Sequence, residues 1–106
     1  MVLVGDGRGH FEPSSIAPIA LGHQAWSFAI ADLDGDGHAD VVAAGAPGHV
    51  RLLLGNGTGG FRAAHGSPYR AGVLPAAAVG DVNRDGRLDV VTANRDSHDL
   101  TILLRR

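Results

Sequence analysis

The sequence predicts an all-β fold made of two copies of one antiparallel unit. Three observations support this prediction: the chain repeats itself after about 50 residues, its apolar runs are short, and glycine and proline interrupt every stretch long enough for a helix. Glycine accounts for 16 of the 106 residues. No window carries a sustained helical period, so short strands separated by turns explain the pattern.

The repeat is clearest in an acidic segment. The run ADLDGDGHADVV at 31–42 returns as GDVNRDGRLDVV at 80–91, which places Asp32 in register with Asp81, 49 residues later. A glycine-rich turn that ends in Phe11 returns ahead of Phe61, 50 residues on. The apolar runs 2–4, 52–54 and 102–104 keep the same phase. The chain is therefore predicted to contain two repeat units of about 50 residues.

Each unit is predicted to form short strands in a fixed order. A run of alternating large and small residues (28–31, then 77–80) precedes the acidic segment, and a β-branched pair (41–42, then 90–91) follows it. After a turn comes an apolar third strand (50–54, then 100–104), and in the first copy the region of Phe61 supplies a fourth. Four short antiparallel strands in a unit of this length are what a β-propeller blade requires.

This pattern divides the chain into three parts. Residues 1–22 are expected to supply the outer strand region of a preceding or partner blade, residues 23–72 a complete four-stranded blade, and residues 73–106 the first three strands of the next blade. A blade has two apolar faces, so two units alone leave outer faces uncovered. We therefore expect either a head-to-tail cyclic homo-oligomer or further blades of a longer chain.

The composition excludes several classes of protein. The formal charge of −2 argues against a nucleic-acid module, and no apolar run is long enough for membrane insertion. Because the chain has no cysteine, it has neither a disulfide scaffold nor a thiolate zinc site. Seven of the 11 acidic residues lie in two nine-residue windows, where their charges repel one another unless a cation neutralises them.

These two windows have the spacing of calcium loops. Oxygen-bearing side chains stand at loop positions one, three, five and nine, and Ca²⁺ prefers about six to eight hard oxygen ligands. Position seven would contribute only its backbone carbonyl. The candidate ligands are Asp32, Asp34, Asp36, His38 and Asp40 in the first loop, and Asp81, Asn83, Asp85, Arg87 and Asp89 in the second.

An EF-hand does not fit the two loops, because position twelve is Ala43 or Thr92 where a bidentate Glu is needed, and strands flank the loops. The alternative is an Asp/Asn/Gly turn whose carboxylates satisfy its own backbone. Two copies in phase favour metal binding, with two structural Ca²⁺ sites per chain. The second site, with Asn83 and Arg84, is expected to bind more weakly.

The acidic loops, the turn GNGTGGF at 55–61 and the leucines at 52–54 together resemble the FG-GAP and VCBS repeats of integrin α-chain-like β-propellers. The resemblance covers essentially the whole chain. It implies a blade-building unit with calcium loops between the first two strands. It also implies a secreted or cell-surface protein.

The expected function is non-catalytic: a calcium-stabilised extracellular interaction and adhesion scaffold. The sequence shows no arrangement of base, nucleophile or open metal site that would support an enzyme. The expected partners are further copies or blades, and a glycan or protein ligand is a further candidate. Two alternatives remain: a glycan-binding, lectin-like propeller, or part of a larger propeller accessory to an enzyme. Trp26 and Tyr69 have the chemistry to stack on a sugar, although packing between blades is the favoured role for Trp26.

The glycine pattern at positions 55, 57 and 60 also matches a dinucleotide-binding fingerprint. That fingerprint requires a helix to follow. The residues after Gly60 do not predict a helix, so a hairpin turn is the preferred interpretation.

Overall fold

The computed structural model describes residues 2–16, 19–22, 24–72 and 75–105. Regular structure in these ranges consists of β-strands alone, which confirms the all-β prediction. No helix in the described ranges has the length and apolar character needed to cross a membrane. The strands are β1 (Leu3–Gly5), β2 (Phe11–Pro13), β3 (Gln24–Ala31), β4 (Asp40–Ala46), β5 (His49–Gly55), β6 (Phe61–Ala63), β7 (Tyr69–Arg70), β8 (Pro75–Gly80), β9 (Asp89–Asn94) and β10 (Asp99–Leu103).

These strands form antiparallel sheets in which chain neighbours are also spatial neighbours. The larger sheet has the order β3-β4-β5-β6, with β7 also paired to β5. A second sheet has the order β8-β9-β10, and β1 and β2 form a separate hairpin. The predicted starts of the three parts of the chain, Met1, His23 and Val73, lie outside the described residues.

Strand β7 was not expected from the sequence. Strand β6 pairs with only the last three residues of β5, from Leu53 to Gly55, which leaves the first part of that edge to be satisfied. Strand β7 covers His49 and Val50, and between the two strands the amide of Leu52 donates to Oγ of Ser67 at 2.9 Å. The backbone groups along this edge of β5 are thus paired with β6, β7 and Ser67. Such pairing is needed because an unpaired peptide group is costly where water is excluded.

The repeat is preserved in the strand register. Gly5 pairs with Phe11 in the first hairpin, and Gly55 pairs with Phe61 in the β5–β6 hairpin, 50 residues later. In both hairpins the aromatic ring lies on the glycine, at 3.1 Å from the Cβ position of Gly5 and 3.2 Å from that of Gly55. A Cβ at either glycine would be tight against the ring, and at Gly55 it would also lie 2.2 Å from the carbonyl oxygen of Ala39, which excludes a side chain there.

The core lies where the two larger sheets meet. Val42, Val50 and Val90 are at most 3% exposed, and Leu33 joins the same cluster. Burial of each such side chain stabilises the fold by about 1.5–3 kcal/mol. The sheets also share a hydrogen bond, from the amide of Ala77 to Oγ of Ser27 at 3.0 Å. This packing fixes the relative position of the loops that leave β3 and β8.

Candidate metal centre

The two acidic segments occupy equivalent places in the two sheets. Acidic loop 1 (residues 32–39) joins β3 to β4, and acidic loop 2 (residues 81–88) joins β8 to β9. Each loop therefore connects the first two strands of its sheet. The aspartate that follows each loop, Asp40 or Asp89, is the first residue of the next strand.

The carboxylates of acidic loop 1 organise its backbone. Oδ1 of Asp32 accepts from the amides of Gly35 at 2.8 Å and Asp36 at 3.1 Å, and its Oδ2 accepts from Gly37 at 2.8 Å. Oδ1 of Asp36 accepts from the amide of His38 at 2.9 Å. These bonds bend the chain around the carboxylate of Asp32.

Asp40 has a second role that the sequence did not predict. It is fully buried, with Oδ2 accepting from the amide of Leu33 at 2.7 Å and Oδ1 accepting from Gly55 at 2.8 Å. Its carboxylate thus ties the start of the loop to the end of β5.

Asp89, also buried, makes the same two bonds in the second sheet. Its Oδ2 accepts from the amide of Val82 at 3.0 Å, and its Oδ1 accepts from Arg105 at 2.9 Å. Gly55 and Arg105 are 50 residues apart, so the repeat period held the signal for this contact. The ninth-position aspartate is a structural clamp in both units.

Three carboxylates of acidic loop 1 and its flank converge. Asp32, Asp34 and Asp40 each offer an oxygen, and these oxygens lie within 4.8 Å of one another. Two oxygens bound to the same Ca²⁺ at about 2.3–2.6 Å are at most about 5 Å apart. Oδ2 of Asp32 and both oxygens of Asp40 accept one amide each and keep a further lone pair for a metal, so the backbone bonds do not preclude binding. The donor set fits Ca²⁺.

The other two predicted contributors to the first site lie differently. Asp36 is not in the group of three, and its side chain accepts from the backbone of the same loop. The imidazole of His38 lies over the turn at Gly57, with Nδ1 at 2.5 Å from the Cβ position of that glycine. The side chain of His38 therefore packs against the neighbouring turn, which leaves its backbone carbonyl as the group predicted to bind a metal.

The charges in this cluster are unevenly stabilised. The amide of Gly37, helped by those of Gly35 and Asp36, holds the pKa of Asp32 below its usual value. The pKa of Asp34 is raised, first by desolvation and then by the charges of Asp40 and Asp36. The ionised form of Asp34 would therefore be stabilised by a nearby cation.

Acidic loop 2 repeats this arrangement with fewer charges. Oδ1 of Asp81 accepts from the amide of Asp85 at 3.1 Å, and its Oδ2 accepts from Gly86 at 2.8 Å. Asn83 replaces the third-position carboxylate, and its Nδ2 donates to Asp85 at 3.3 Å. The amide of Arg87 donates to Oδ1 of Asp85 at 2.9 Å, as His38 does to Asp36 in the first loop.

The fourth position of the two loops also differs. Gly35 has a φ of 76°, whereas Arg84 adopts 59° at the same position. A residue with a Cβ is strained in this left-handed region. The strain adds a conformational cost to loop 2 that loop 1 does not have.

A basic residue contacts acidic loop 1 from the other sheet. The guanidinium of Arg105 donates to the backbone carbonyls of Leu33 and Asp34. This contact could not be predicted from the repeat, because Arg105 stands where the first unit has Gly55, which has no side chain. It connects the two units at the candidate site.

Comparison with known families agrees with this geometry. The model of the FG-GAP-like repeat matches residues 1–43 and again residues 32–92. The chain belongs to the FG-GAP-like repeat family. The predicted resemblance is therefore confirmed, and the second FG-GAP-like match contains both acidic loops. The comparisons with curated proteins and with solved structures gave no significant match.

Proposed function

We propose that the chain is a calcium-binding β-propeller module that acts as a non-catalytic, extracellular interaction and adhesion scaffold. The observation that carries the proposal is the convergence of carboxylate oxygens from Asp32, Asp34 and Asp40 within 4.8 Å. Such a cluster of negative charge, with no ion pair to a basic side chain among the described residues, favours a cation of high charge.

The role proposed for calcium is structural. Asp32, Asp34 and Asp40 would hold the ion in the first site, and the equivalent residues Asp81, Asn83 and Asp89 in the second. When bound, Ca²⁺ neutralises the carboxylates and joins the loop to the base of the next strand. Because Asp40 already links Leu33 to Gly55, stabilisation of its carboxylate reaches acidic loop 1, β4 and β5. A ligand that binds only the folded state raises its stability.

The non-catalytic part of the proposal rests on the residue types present. The chain has no cysteine, and its histidines show no metal-type or acid–base pairing in the sequence. The extracellular location rests on membership of a repeat family that typically occurs in secreted and cell-surface proteins. Adhesion follows from the same analogy.

We also propose that the free edge of β10 is completed by strand β2 of a second copy or by a further blade. Strand β10 is the edge of its sheet, and Leu100, Ile102 and Leu104 are 64%, 50% and 44% exposed. Strand β2 pairs with β1 in the same register in which β6 pairs with β5. It therefore has the geometry of an outer blade strand. Exposed apolar edge strands favour pairing with another strand.

Calorimetric titration of the metal-free chain with CaCl₂ tests the metal proposal, with MgCl₂ as the comparison. We expect saturable calcium binding and a higher melting temperature in calcium than in chelator. A melting temperature that is the same in both would contradict the proposal. Light scattering with and without calcium tests the assembly, since a single-chain mass in both conditions would exclude completion by a second copy.

A further inference from the structure

A second candidate site is an open cleft between the two sheets, at the end of the strands opposite to the acidic loops. A cavity of about 570 Å³ is lined by Trp26, Ala76, Ala93, Asn94, Arg95 and Asp99. This volume falls within the range of about 300–1,000 Å³ that is typical of small-molecule sites. Trp26 lies near the start of β3 and Asn94 at the end of β9, whereas acidic loop 1 follows the end of β3. The cavity is therefore separate from the candidate metal centre.

One wall of the cavity comes from an irregularity in β3. Ala25 pairs with Gly45 and Ser27 with Ala44, so Trp26 is an extra residue in the ladder. Gly45 permits this bulge, because a Cβ there would lie 1.6 Å from the carbonyl oxygen of Gln24. Bulges redirect side chains, and they are frequent near functional sites.

The bulge belongs to the first unit only. Position 75, which is 49 residues after Trp26, is a buried proline, and β8 pairs with β9 without a register shift from Pro75 to Gly80. The indole is thus a departure from the repeat. It is also 48% exposed, which makes it available to a ligand.

The opposite wall is a second departure from the repeat. The turn from β4 to β5 has two residues, Pro47 and Gly48, whereas the turn from β9 to β10 spans residues 95–98. Hydrogen bonds hold the longer turn: Nδ2 of Asn94 donates to Oδ1 of Asp99 at 3.0 Å, and Oγ of Ser97 donates to the same oxygen at 2.7 Å. A further bond from Nδ2 of Asn94 to Thr101 at 2.8 Å fixes its amide.

This turn presents two opposite charges to the cavity. Ser97 and Asn94 lower the pKa of Asp99, so its carboxylate is ionised at neutral pH. Both bonds go to Oδ1, which leaves Oδ2 to accept from a ligand. Arg95 forms no hydrogen bond or ion pair with any other described residue, so its guanidinium is available as a donor. Ala76 and Ala93 add apolar lining.

We propose that this cavity, built from Trp26, Arg95 and Asp99, binds a neutral pyranose sugar. A pyranose has an apolar face that stacks on an indole and hydroxyl groups that both donate and accept hydrogen bonds. Its hydroxyls match the acceptor of Asp99 and the donor of Arg95. A ligand with a single charge is attracted by one member of this pair and repelled by the other, so it gains little net electrostatic energy, whereas uncharged hydroxyls can hydrogen-bond to both.

Trp26 makes this proposal directly testable, because it is the single tryptophan of the chain. The metal-free and calcium-loaded protein is titrated with methyl glycosides of mannose, galactose, glucose, fucose and N-acetylglucosamine, while its intrinsic fluorescence is recorded. N-acetyl-lysine methylamide and N-acetyl-glutamate methylamide serve as charged probes. We expect a saturable change in fluorescence with at least one glycoside, and a weaker response to both charged probes.

Matched variants separate this site from its surroundings. Asp99→Asn and Arg95→Ala should each weaken glycoside binding by about tenfold, whereas Asp96→Asn, in the same turn but outside the cavity lining, should leave it unchanged. Calcium binding, measured by calorimetry, should be the same in all three variants. Calcium binding reports on the metal centre. A variant that loses sugar binding but keeps calcium binding would therefore locate the sugar at this cavity.

Three results of the titrations would overturn the proposal, and a fourth comes from a separate measurement. These are silence with every glycoside, tighter binding of either charged probe, or equal affinity of Asp99→Asn and Asp96→Asn. Ligand-observed NMR with Trp26→Ala provides a readout independent of fluorescence. If a glycoside still binds that variant as well as it binds the original chain, the site is elsewhere.

Discussion

The guanidinium of Arg105 donates a hydrogen bond of 3.0 Å to the carbonyl oxygen of Asp34, although 71 residues separate them in the chain. A second bond joins the same guanidinium to the carbonyl of Leu33. The backbone amide of Arg105 meanwhile donates to Asp89. One residue at the end of the second sheet therefore contacts Asp89 in the second unit and acidic loop 1 in the first, and it couples the candidate metal centre of the first unit to the fold of the second.

This coupling predicts that Arg105→Met lowers the free energy of unfolding by about 1–2 kcal/mol, because two hydrogen bonds to partly buried carbonyls are lost. Methionine keeps the aliphatic stem, so apolar packing is largely retained. Urea unfolding monitored by circular dichroism measures the change. Arg87→Met, at an exposed loop position, is the control and should change stability by less than about 0.5 kcal/mol. Equal effects of the two substitutions would contradict the coupling.

The clamp role of Asp40 predicts an effect that does not depend on metal. In Asp40→Asn the side-chain amide offers only one acceptor for the two backbone donors, Leu33 and Gly55. We expect a loss of about 2–3 kcal/mol of stability in chelator, since a buried donor remains unsatisfied. Asp36→Asn is the matched control, because it changes an exposed loop carboxylate. If both variants are equally stable without calcium, the clamp role of Asp40 is wrong.

The features that occur in both repeat units could be predicted from the sequence. The acidic spacing around Asp32 and Asp81 and the glycine–phenylalanine turns gave the strand order and the place of the loops. Features that occur once were missed: the bulge at Trp26, the longer turn at Arg95 and the contact of Arg105. They depend on how the two sheets pack, and side-chain periodicity carries no information about that.

The strain at Arg84 predicts a stabilising substitution. Its φ of 59° suits glycine, and Gly35 occupies the equivalent place in loop 1. Arg84→Gly should raise the free energy of unfolding by about 1 kcal/mol, because relief of strain exceeds the entropy that glycine adds to the unfolded chain. Thermal unfolding in chelator measures it. Arg84→Ala, which removes the charge and keeps the strain, should give no such gain; an equal gain would assign the effect to charge.

The lowered pKa of Asp99 predicts a stability that depends on pH. Ser97 and Asn94 stabilise its carboxylate in the folded state, so the folded pKa lies below the usual 3.8. The unfolded state therefore binds the proton more readily. The stability that Asp99 contributes is fully present above pH 3.8 and is lost as the pH falls through the folded pKa. Urea unfolding between pH 5 and pH 2.5 should show a shallower decline in Asp99→Asn. Asp96→Asn is the control, and an unchanged slope in both variants would contradict the prediction.

The third position of the loop is Asp34 in the first unit and Asn83 in the second, and this difference predicts which site binds calcium more tightly. Asp34 has the raised pKa, caused by desolvation and by the charges of Asp40 and Asp36, so a cation there relieves repulsion that the amide of Asn83 does not create. Asp34→Asn should weaken the tighter site by on the order of tenfold, and Asn83→Asp should strengthen the weaker site by a similar factor. Calorimetric calcium titration of both variants and of the exchanged double variant measures this. If the double variant does not reverse the order of the two sites, the third position does not set their affinities, and the strain at Arg84 becomes the alternative cause.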